Sequence, residues 1–374
     1  MVFVTSYIKR PHLILIGAAL AVLLLFSLNG IKLRPDELEL GLEPDTETAW
    51  KPPSQLISVK HDVRAKIFNL TLKYILTPAP CLNFETLAVI IVTSHHNNVE
   101  TRSAMRRAIP REELTKLGLK RTFLVGESPD NIYMNQAALV DENHRFGDII
   151  QGNFIEDYRN LTFKHLMGLK WVSENCQNTQ YVIKMDDDIV INVGSTVQLL
   201  RNLTLPADSI AGYVLRDMTP KRDPSNKWYV TSEEYHFAKY PSFVSGWFYI
   251  TRVGVASRLV LLSHYFKFFW IDDVYVTGIL AKNLRLRLID LKRYFTVFPE
   301  FLQCCITDVK RNLECNILVG PNGGDSNLFF EFNEAMKLCG KCGKRDKPIN
   351  ETCVAERKIN LGRGNVVIQN YSLH

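Results

Sequence analysis

The 374-residue chain carries no G-x-G-x-x-G, no Walker loop, no G-x-S-x-G and no H-E-x-x-H. Dinucleotide enzymes, P-loop ATPases, serine hydrolases and zincins thereby lose the short motifs on which their chemistry rests. There is no internal repeat and no low-complexity block, which removes repeat architectures. Lys and Arg number 45 against 39 Asp and Glu, a net charge of +6. The basic residues are scattered, so the stripe that marks a nucleic-acid binder is missing. The modest excess reads as a solvated surface with some attraction for anionic substrates such as nucleotides. Cys339-Gly-Lys-Cys342 has no second C-x-x-C and no paired histidines to complete a zinc site.

What the chain does have begins with residues 13–31, almost wholly apolar and interrupted by Ser27 and Asn29. About 20 such residues suffice to cross a hydrocarbon core. Lys9 and Arg10 precede the run, whereas Lys32 and Arg34 give way to Asp36, Glu37, Glu39, Glu43, Asp45 and Glu47. That asymmetry predicts a short cytosolic tail and a luminal remainder. A cleaved signal peptide is the competing reading, but it needs a shorter apolar region and an A-x-A-like site, and no such site is clear. The expected organisation is a tail over 1–12, a transmembrane signal anchor over 13–31 and a proline-punctuated stem over 32–80. A catalytic domain over 81–338 and a Cys-containing basic extension over 339–374 follow. Eight cysteines suit an oxidising lumen and predict several disulfides. Sequons at Asn69, Asn160, Asn202, Asn350 and Asn370 would be glycan acceptors there.

After the stem, strand and helix patterns alternate. Residues 87–92 form a continuous apolar run of strand length, and 121–126, 148–150 and 181–185 read as further strands. Helical patterns fall on 102–117 and 162–175. Such β-α-β alternation predicts an α/β fold, a mostly parallel sheet in a single domain.

Asp186, Asp187 and Asp188 come directly after the 181–185 strand and before Ile189-Val190-Ile191-Asn192. They stand where open α/β sheets place their ligands, beyond the carboxyl end of a strand. Three like charges so close need neutralising. Carboxylate oxygens suit Mg²⁺ or Mn²⁺, and a cation held there can grip a diphosphate. A solvated acidic turn, or a Ca²⁺ loop with no chemistry, is the plainer alternative. A second acidic site, Asp272-Asp273, is wedged between Phe268-Phe269-Trp270-Ile271 and Val274-Tyr275-Val276. Partial desolvation there would raise a carboxylate pKa and make a better base. Either aspartate could also cap a helix over 274–282, and the two roles are compatible.

A metal-type triplet with one buried base suits displacement on a sugar nucleotide better than hydrolysis of a glycoside, which uses two opposed carboxylates. A nucleoside diphosphate leaves as an anion and needs a cation rather than a proton. The acceptor hydroxyl then needs one general base, for which Asp273 is the choice.

Several blocks in fixed order carry a resemblance. They are Arg102-Ser-Ala-Met-Arg106, Phe123-Leu-Val-Gly126, Gly147-Asp148, Asn153 through Lys164, Lys184 through Asn192, Lys227-Trp228-Tyr229-Val230, Tyr240-Pro241 through Ile250, and Asp272-Asp273-Val274-Tyr275. Together they resemble the metal-dependent β-1,3-glycosyltransferases, the β-1,3-galactosyl- and β-1,3-N-acetylglucosaminyltransferases of glycosyltransferase family 31. The resemblance implies a Rossmann-like GT-A fold, Mn²⁺ (or Mg²⁺) as cofactor, and an inverting single displacement. It implies that Asp188, with Asp186, holds the metal and that Asp187, Arg102, Arg106 and Lys184 meet the nucleotide-sugar. Asp273 would be the base, and Trp228, Tyr240, Pro241, Ser245, Gly246 and Asp272 would line the substrate pocket. Three positions depart from the family. Arg107-Ala108-Ile109 replaces the usual Thr-Trp, Asp272-Asp273 replaces the commoner Glu-Asp, and Ile317-Leu318-Val319-Gly320 carries no metal-side histidine.

The resulting expectation is a single-pass type II enzyme of the Golgi membrane. It would move a hexose, galactose first, from a UDP-sugar to a glycan hydroxyl on a glycoprotein or glycolipid. Nucleic acid is not a partner, and homo- or hetero-oligomers stay open. The alternatives are transfer of N-acetylglucosamine or N-acetylgalactosamine by the same chemistry, or a catalytically silent luminal binding protein.

Overall fold

Side chains of a strand alternate between its two faces, and the apolar run over 87–92 uses both. The computed structural model describes residues 71–81, 86–128, 133–202, 205–339, 342–360 and 366–372. In it Ala88, Ile90 and Val92 enter one hydrophobic cluster, while Val89 and Ile91 enter another. A strand buried on both sides belongs in the middle of a layered fold.

Strand β1 (Tyr74–Leu76) is followed by β2 (Ala88–Thr93) and helices α1 (Val99–Ala108) and α2 (Arg111–Lys116). Then come β3 (Leu119–Glu127), α3 (Tyr133–Phe146), β4 (Ile149–Ile155), α4 (Leu161–Asn175) and β5 (Tyr181–Asp186). A short β6 (Ile189–Ile191) leads to α5 (Val193–Asn202), β7 (Ser209–Leu215), β8 (Phe243–Arg252) and α6 (Val253–Ser263). A π-helical segment, Val274–Leu280, precedes β9 (Arg287–Asp290), α7 (Pro299–Lys310), β10 (Val319–Pro321) and α8 (Asn327–Leu338). The main sheet runs β1-β4-β3-β2-β5-β8-β7-β9. The stretch β4-β3-β2-β5 is parallel, as are β7 and β9, but β1, β8 and their neighbours pair antiparallel. The α/β expectation holds, and the sheet is mixed and mostly parallel. Strand direction is not written in local alternation, so β8 could be read only as a buried aromatic strand.

Three boundaries move. The helix expected over 102–117 breaks where Ile109 turns extended at φ −139° before Pro110, because proline bars the α conformation to its predecessor. Part of the stretch read as stem is sheet: β1 pairs with β4, and Trp171 Nε1 donates to Thr77 Oγ1 at 2.7 Å. The basic extension does not sit wholly outside the core either. Cys353 is 3% exposed, belongs to the first cluster and is bonded to Cys304.

Further disulfides join Cys81–Cys176, Cys305–Cys315 and Cys339–Cys342, so the C-x-x-C closes on itself rather than offering half a zinc site. The apolar run over 13–31 and the sequon at Asn69 lie outside the described residues. Among the described residues no helix is long and apolar enough to cross a membrane.

Candidate active site

Parity along β5 decides what meets at its carboxyl end. Val182 packs in the second cluster, so Lys184 and Asp186 project to that same side. Tyr249 of β8 is the register partner of Lys184 and belongs to that cluster too. Helix α4 covers this side with Leu166, Met167, Leu169 and Trp171, and the π-helical segment adds Val274, Tyr275 and Val276. His165 of α4 and Asp272-Asp273, at the head of the π-helical segment, are thereby carried to the end of the sheet where the triplet lies.

The two acidic sites share one cation. Lys184, 2% exposed, puts Nζ 2.7 Å from Asp186 Oδ1 and 3.9 Å from Asp272 Oδ2, and it also donates to the Gly246 carbonyl. Burial alone would lower its pKa, but the carboxylates of Asp186 and Asp272 hold it above the ordinary lysine value. Asp272 Oδ2 also lies 2.9 Å from His165 Nδ1, whose Nε2 is 2.6 Å from the Tyr249 hydroxyl. Despite burial, Lys184 and His165 hold Asp272 down at about 2. Asp273 goes the other way. Burial, and then the charge of Asp272, push it up to about 7. Its Oδ1 accepts from Val274 N at 2.7 Å and its Oδ2 from Gly246 N at 3.3 Å, so it caps the helix while half-buried at the site. A Cβ on Gly246 would stand 3.2 Å from Asp273 Cβ and 3.3 Å from Lys184 Nζ, which is why this position is bare backbone.

Each member of the triplet meets a different environment. Asp186 has Lys184. Asp187 Oδ2 accepts from Ser94 Oγ at 2.6 Å and Asn98 Nδ2 at 2.9 Å. Asp188 is exposed and has no basic side chain within ion-pair distance among the described residues. Partial desolvation, then the charges of Asp186 and Asp187, raise its pKa. Its carbonyl accepts from Asn322 N at 2.8 Å, just beyond β10, which pairs with β6. The segment lacking the family histidine therefore does run beside the triplet, and it presents Asn322 there. Among the described residues no group of three or more His, Cys, Asp and Glu side chains is arranged to hold a metal ion. The donor chemistry still fits one: an under-neutralised carboxylate beside two more suits a hard divalent cation.

Arg102 and Arg106 are not at the surface of this site. Arg102 is fully buried, and its guanidinium donates to Glu142 Oε1 and Oε2, Ser94 Oγ and the carbonyls of His95 and His96. Arg106 is spent on Glu142 at 2.7 Å and Asp148 at 2.7 Å. Both were expected to meet nucleotide. In the structure Arg102 bonds the loop after β2, whose Ser94 holds Asp187, and Arg106 braces Glu142 and Asp148 behind it. Lys184 is likewise an internal counter-ion. Ala108 and Ile109, in place of the family's Thr-Trp, are core residues. Replacing Arg102 by Leu should destabilise the fold by about 3–5 kcal/mol, since it breaks a buried ion pair, leaves Glu142 to Arg106 alone and takes the donor from the carbonyls of His95 and His96; chemical denaturation reads this directly.

Trp228 is 50% exposed and its Nε1 donates to the Tyr158 hydroxyl at 2.9 Å. Burial raises the Tyr158 pKa, as do the charges of Asp272, Asp273 and Asp186, so this aromatic pair lies within the field of the acidic pair. Tyr240 packs 4.9 Å from the Tyr235 ring, and its buried hydroxyl has no partner. Pro241, in the segment entering β8, abuts Gly278, and Ser245 is half-buried beside Gly246 within β8 itself. Of the sequons, Asn160 donates its amide to the Ile155 carbonyl at 2.9 Å, and Thr162 is buried against the Phe269 carbonyl. That one is built for packing. Asn202 is exposed at the end of α5. Asn350 falls in the turn of helix Ile349–Thr352, and Asn370 in the strand Val366–Ser372.

His165, Tyr249, Tyr158, Ser94 and Glu142 were not singled out from sequence. The available signal was Lys164-His165 inside an otherwise apolar helical stripe. Both are buried, and Lys164 Nζ reaches the Ser94 carbonyl at 2.5 Å and pairs with Glu156.

The family described as Galactosyltransferase matches residues 100–292. Mouse (Mus musculus) β-1,3-galactosyltransferase 5 is 34% identical over 239 residues, 64% of this chain and 77% of that one. The Homo sapiens β-1,3-galactosyltransferase 5 is 32% identical over 64% of this chain and 76% of its own. Homo sapiens β-1,3-galactosyltransferase 2 is 32% identical over 56% and 51%. Among solved structures, the bifunctional glycosyltransferase WbbM overlays with a TM-score of 0.36 at 10% identity, over 70% of this chain and 51% of that one, too loosely to bear on function. Matches of this extent place the chain in the galactosyltransferase family, as an enzyme of the β-1,3-glycosyltransferase kind.

Proposed function

We propose that the protein transfers galactose from UDP-galactose to the 3-hydroxyl of a glycan on a glycoprotein or glycolipid, inverting the α-linked donor to a β product. One observation carries the reading: a single buried ammonium, Lys184, touches Asp186 and reaches to 3.9 Å from Asp272, so a diphosphate-type site and a base lie at one end of one sheet. Asp273 would take the acceptor proton. Its carboxyl is held by two backbone amides, and its raised pKa makes it a stronger base than a solvated aspartate. Asp187, clamped by Ser94 and Asn98, is placed to fix the nucleotide end. Asp188 and Asp186 would hold Mn²⁺ or Mg²⁺, which when bound supplies Lewis-acid stabilisation to the departing diphosphate. Trp228, Tyr158 and Tyr240 offer flat apolar faces with polar tips, which suit a sugar.

On this reading the fold is of the GT-A kind, the residues over 13–31 anchor the chain in the Golgi membrane, and the catalytic part faces the lumen. The decisive assay gives the purified protein Mn²⁺ and each UDP-sugar in turn and measures UDP release with and without glycan acceptors. Acceptor-dependent release from UDP-galactose is the expected outcome. Preference for UDP-N-acetylglucosamine would change the donor, and no release from any donor would leave a silent binding protein. The same assay has a pH dependence. A protonated Asp273 cannot accept a proton, so turnover should be low below its pKa and rise as pH climbs through about 7. A flat profile across that interval would exclude Asp273 as the base.

A further inference from the structure

Two adjacent carboxylates cannot serve as one base unless something decides which of them keeps the proton. Here the environment is asymmetric. Asp272 Oδ2 faces His165 Nδ1 at 2.9 Å, and His165 Nε2 faces the Tyr249 hydroxyl at 2.6 Å. His165 is 1% exposed and Tyr249 is fully buried. Burial keeps the imidazole below its ordinary pKa, and hence neutral, although Asp272 pulls the other way. An ionised Asp272 is acceptor-only, so Nδ1 must carry the hydrogen, which leaves Nε2 to accept from the tyrosine. The proton order runs from Tyr249 through His165 to Asp272. Among the described residues no side-chain donor reaches Asp273, whose two oxygens take backbone amides.

We propose that His165, locked between Tyr249 and Asp272, is a positioning residue that keeps the negative charge on Asp272 and leaves Asp273 as the one carboxylate free to take the acceptor's proton. The inference rests on the transferase reading above. Among the described residues the charged and titratable groups facing the acidic pair come from five segments. Lys184 and Asp186 come from β5, His165 from α4, Tyr249 from β8, Tyr158 from the turn before α4, and Tyr240 from the segment before β8. Of these, His165 and Lys184 contact Asp272 directly, and Lys184 is divided between Asp272, Asp186 and the Gly246 carbonyl. Lys184 supplies charge to the pair, while His165 is the group that hydrogen-bonds Asp272 and not Asp273.

The test is His165→Leu beside His165→Asn in the full chain, with the pH profile of turnover and the affinity for UDP measured for each. Leucine removes the donor and gives the pair a second place for the same proton. The apparent pKa of two interacting carboxylates then rises, so the acid limb should move to higher pH by about half a unit or more. At a fixed pH below the limb, turnover should fall by about three-fold, because the base is less often free, whereas the plateau above the limb should stay near the parent's. Asparagine, whose amide NH₂ stands in for Nδ1–H, should restore the limb, and UDP affinity should stay that of the parent in both. In the parent protein the ¹⁵N shifts of His165 should report a neutral ring protonated at Nδ1, a readout that needs no turnover. An unmoved limb in His165→Leu, equal losses in both variants with an unmoved limb, or a ring protonated at Nε2 would each overturn the proposal. A parent protein with no transfer from any donor would instead overturn the transferase reading, while the ¹⁵N result would still judge the hydrogen-bond order.

Discussion

Replacing Asp273 by Asn should leave UDP affinity as it was and lower transfer by about 10²–10⁴-fold, the usual worth of a positioned general base. The substitution keeps the shape of the side chain. Its remaining oxygen can still accept from Val274 N, the 2.7 Å cap bond, so the head of the π-helical segment should survive. The amide NH₂ would face Gly246 N, now donor against donor, at a cost of about 1 kcal/mol that a fold of this size absorbs. The Asp187 bonds to Ser94 and Asn98, where the nucleotide is proposed to bind, are untouched. What disappears is the only carboxylate of the pair whose pKa is pushed up toward neutrality. Calorimetry for UDP together with turnover separates the two effects, and near-normal turnover would remove Asp273 from the chemistry.

The second large effect concerns Asp188. Asp188→Ala should weaken divalent-metal binding, and with it metal-dependent UDP binding, by about 100-fold or more, given that even outer-shell partners of a metal typically cost about 10–100-fold. Stability should barely change, because the side chain is exposed and makes no ion pair among the described residues. Relief of repulsion from Asp186 and Asp187 works slightly in the variant's favour without metal. Equal UDP affinity in metal and in chelator, for parent and variant alike, would show that the triplet does not act through a cation.

Much of this site was legible before any coordinates. The triplet announced itself because three carboxylates between apolar strands need a counter-charge, and Asp272-Asp273 because acids among aromatics are desolvated. Helix α4 and strands β2, β3 and β5 followed from periodicity, with ends displaced by a residue or two. What could not be read was anything decided by tertiary contact. The resemblance put Arg102 and Arg106 at the nucleotide-sugar, and their ion pairs to Glu142 and Asp148, some forty positions away, could not be read locally. The pairing of Lys184 with Asp186 and Asp272 likewise depends on strand parity, which buries it on the side of Val182. His165 was invisible because its partners come from Tyr249 and Asp272, more than eighty positions on. The antiparallel entry of β8 was hidden for the same reason, since a strand's direction belongs to its partners rather than to its residues.

The stereochemistry of the product is the sharpest remaining test. If Asp273 deprotonates the acceptor as proposed, a single displacement of the diphosphate would invert the anomeric carbon. Proton NMR of the glycan formed from α-linked UDP-galactose should therefore show a β-linked galactose on the 3-hydroxyl of the acceptor. An α-linked product would mean that the sugar does not meet its acceptor from Asp273's side in one step, and the assignment of the acidic pair would fall with it.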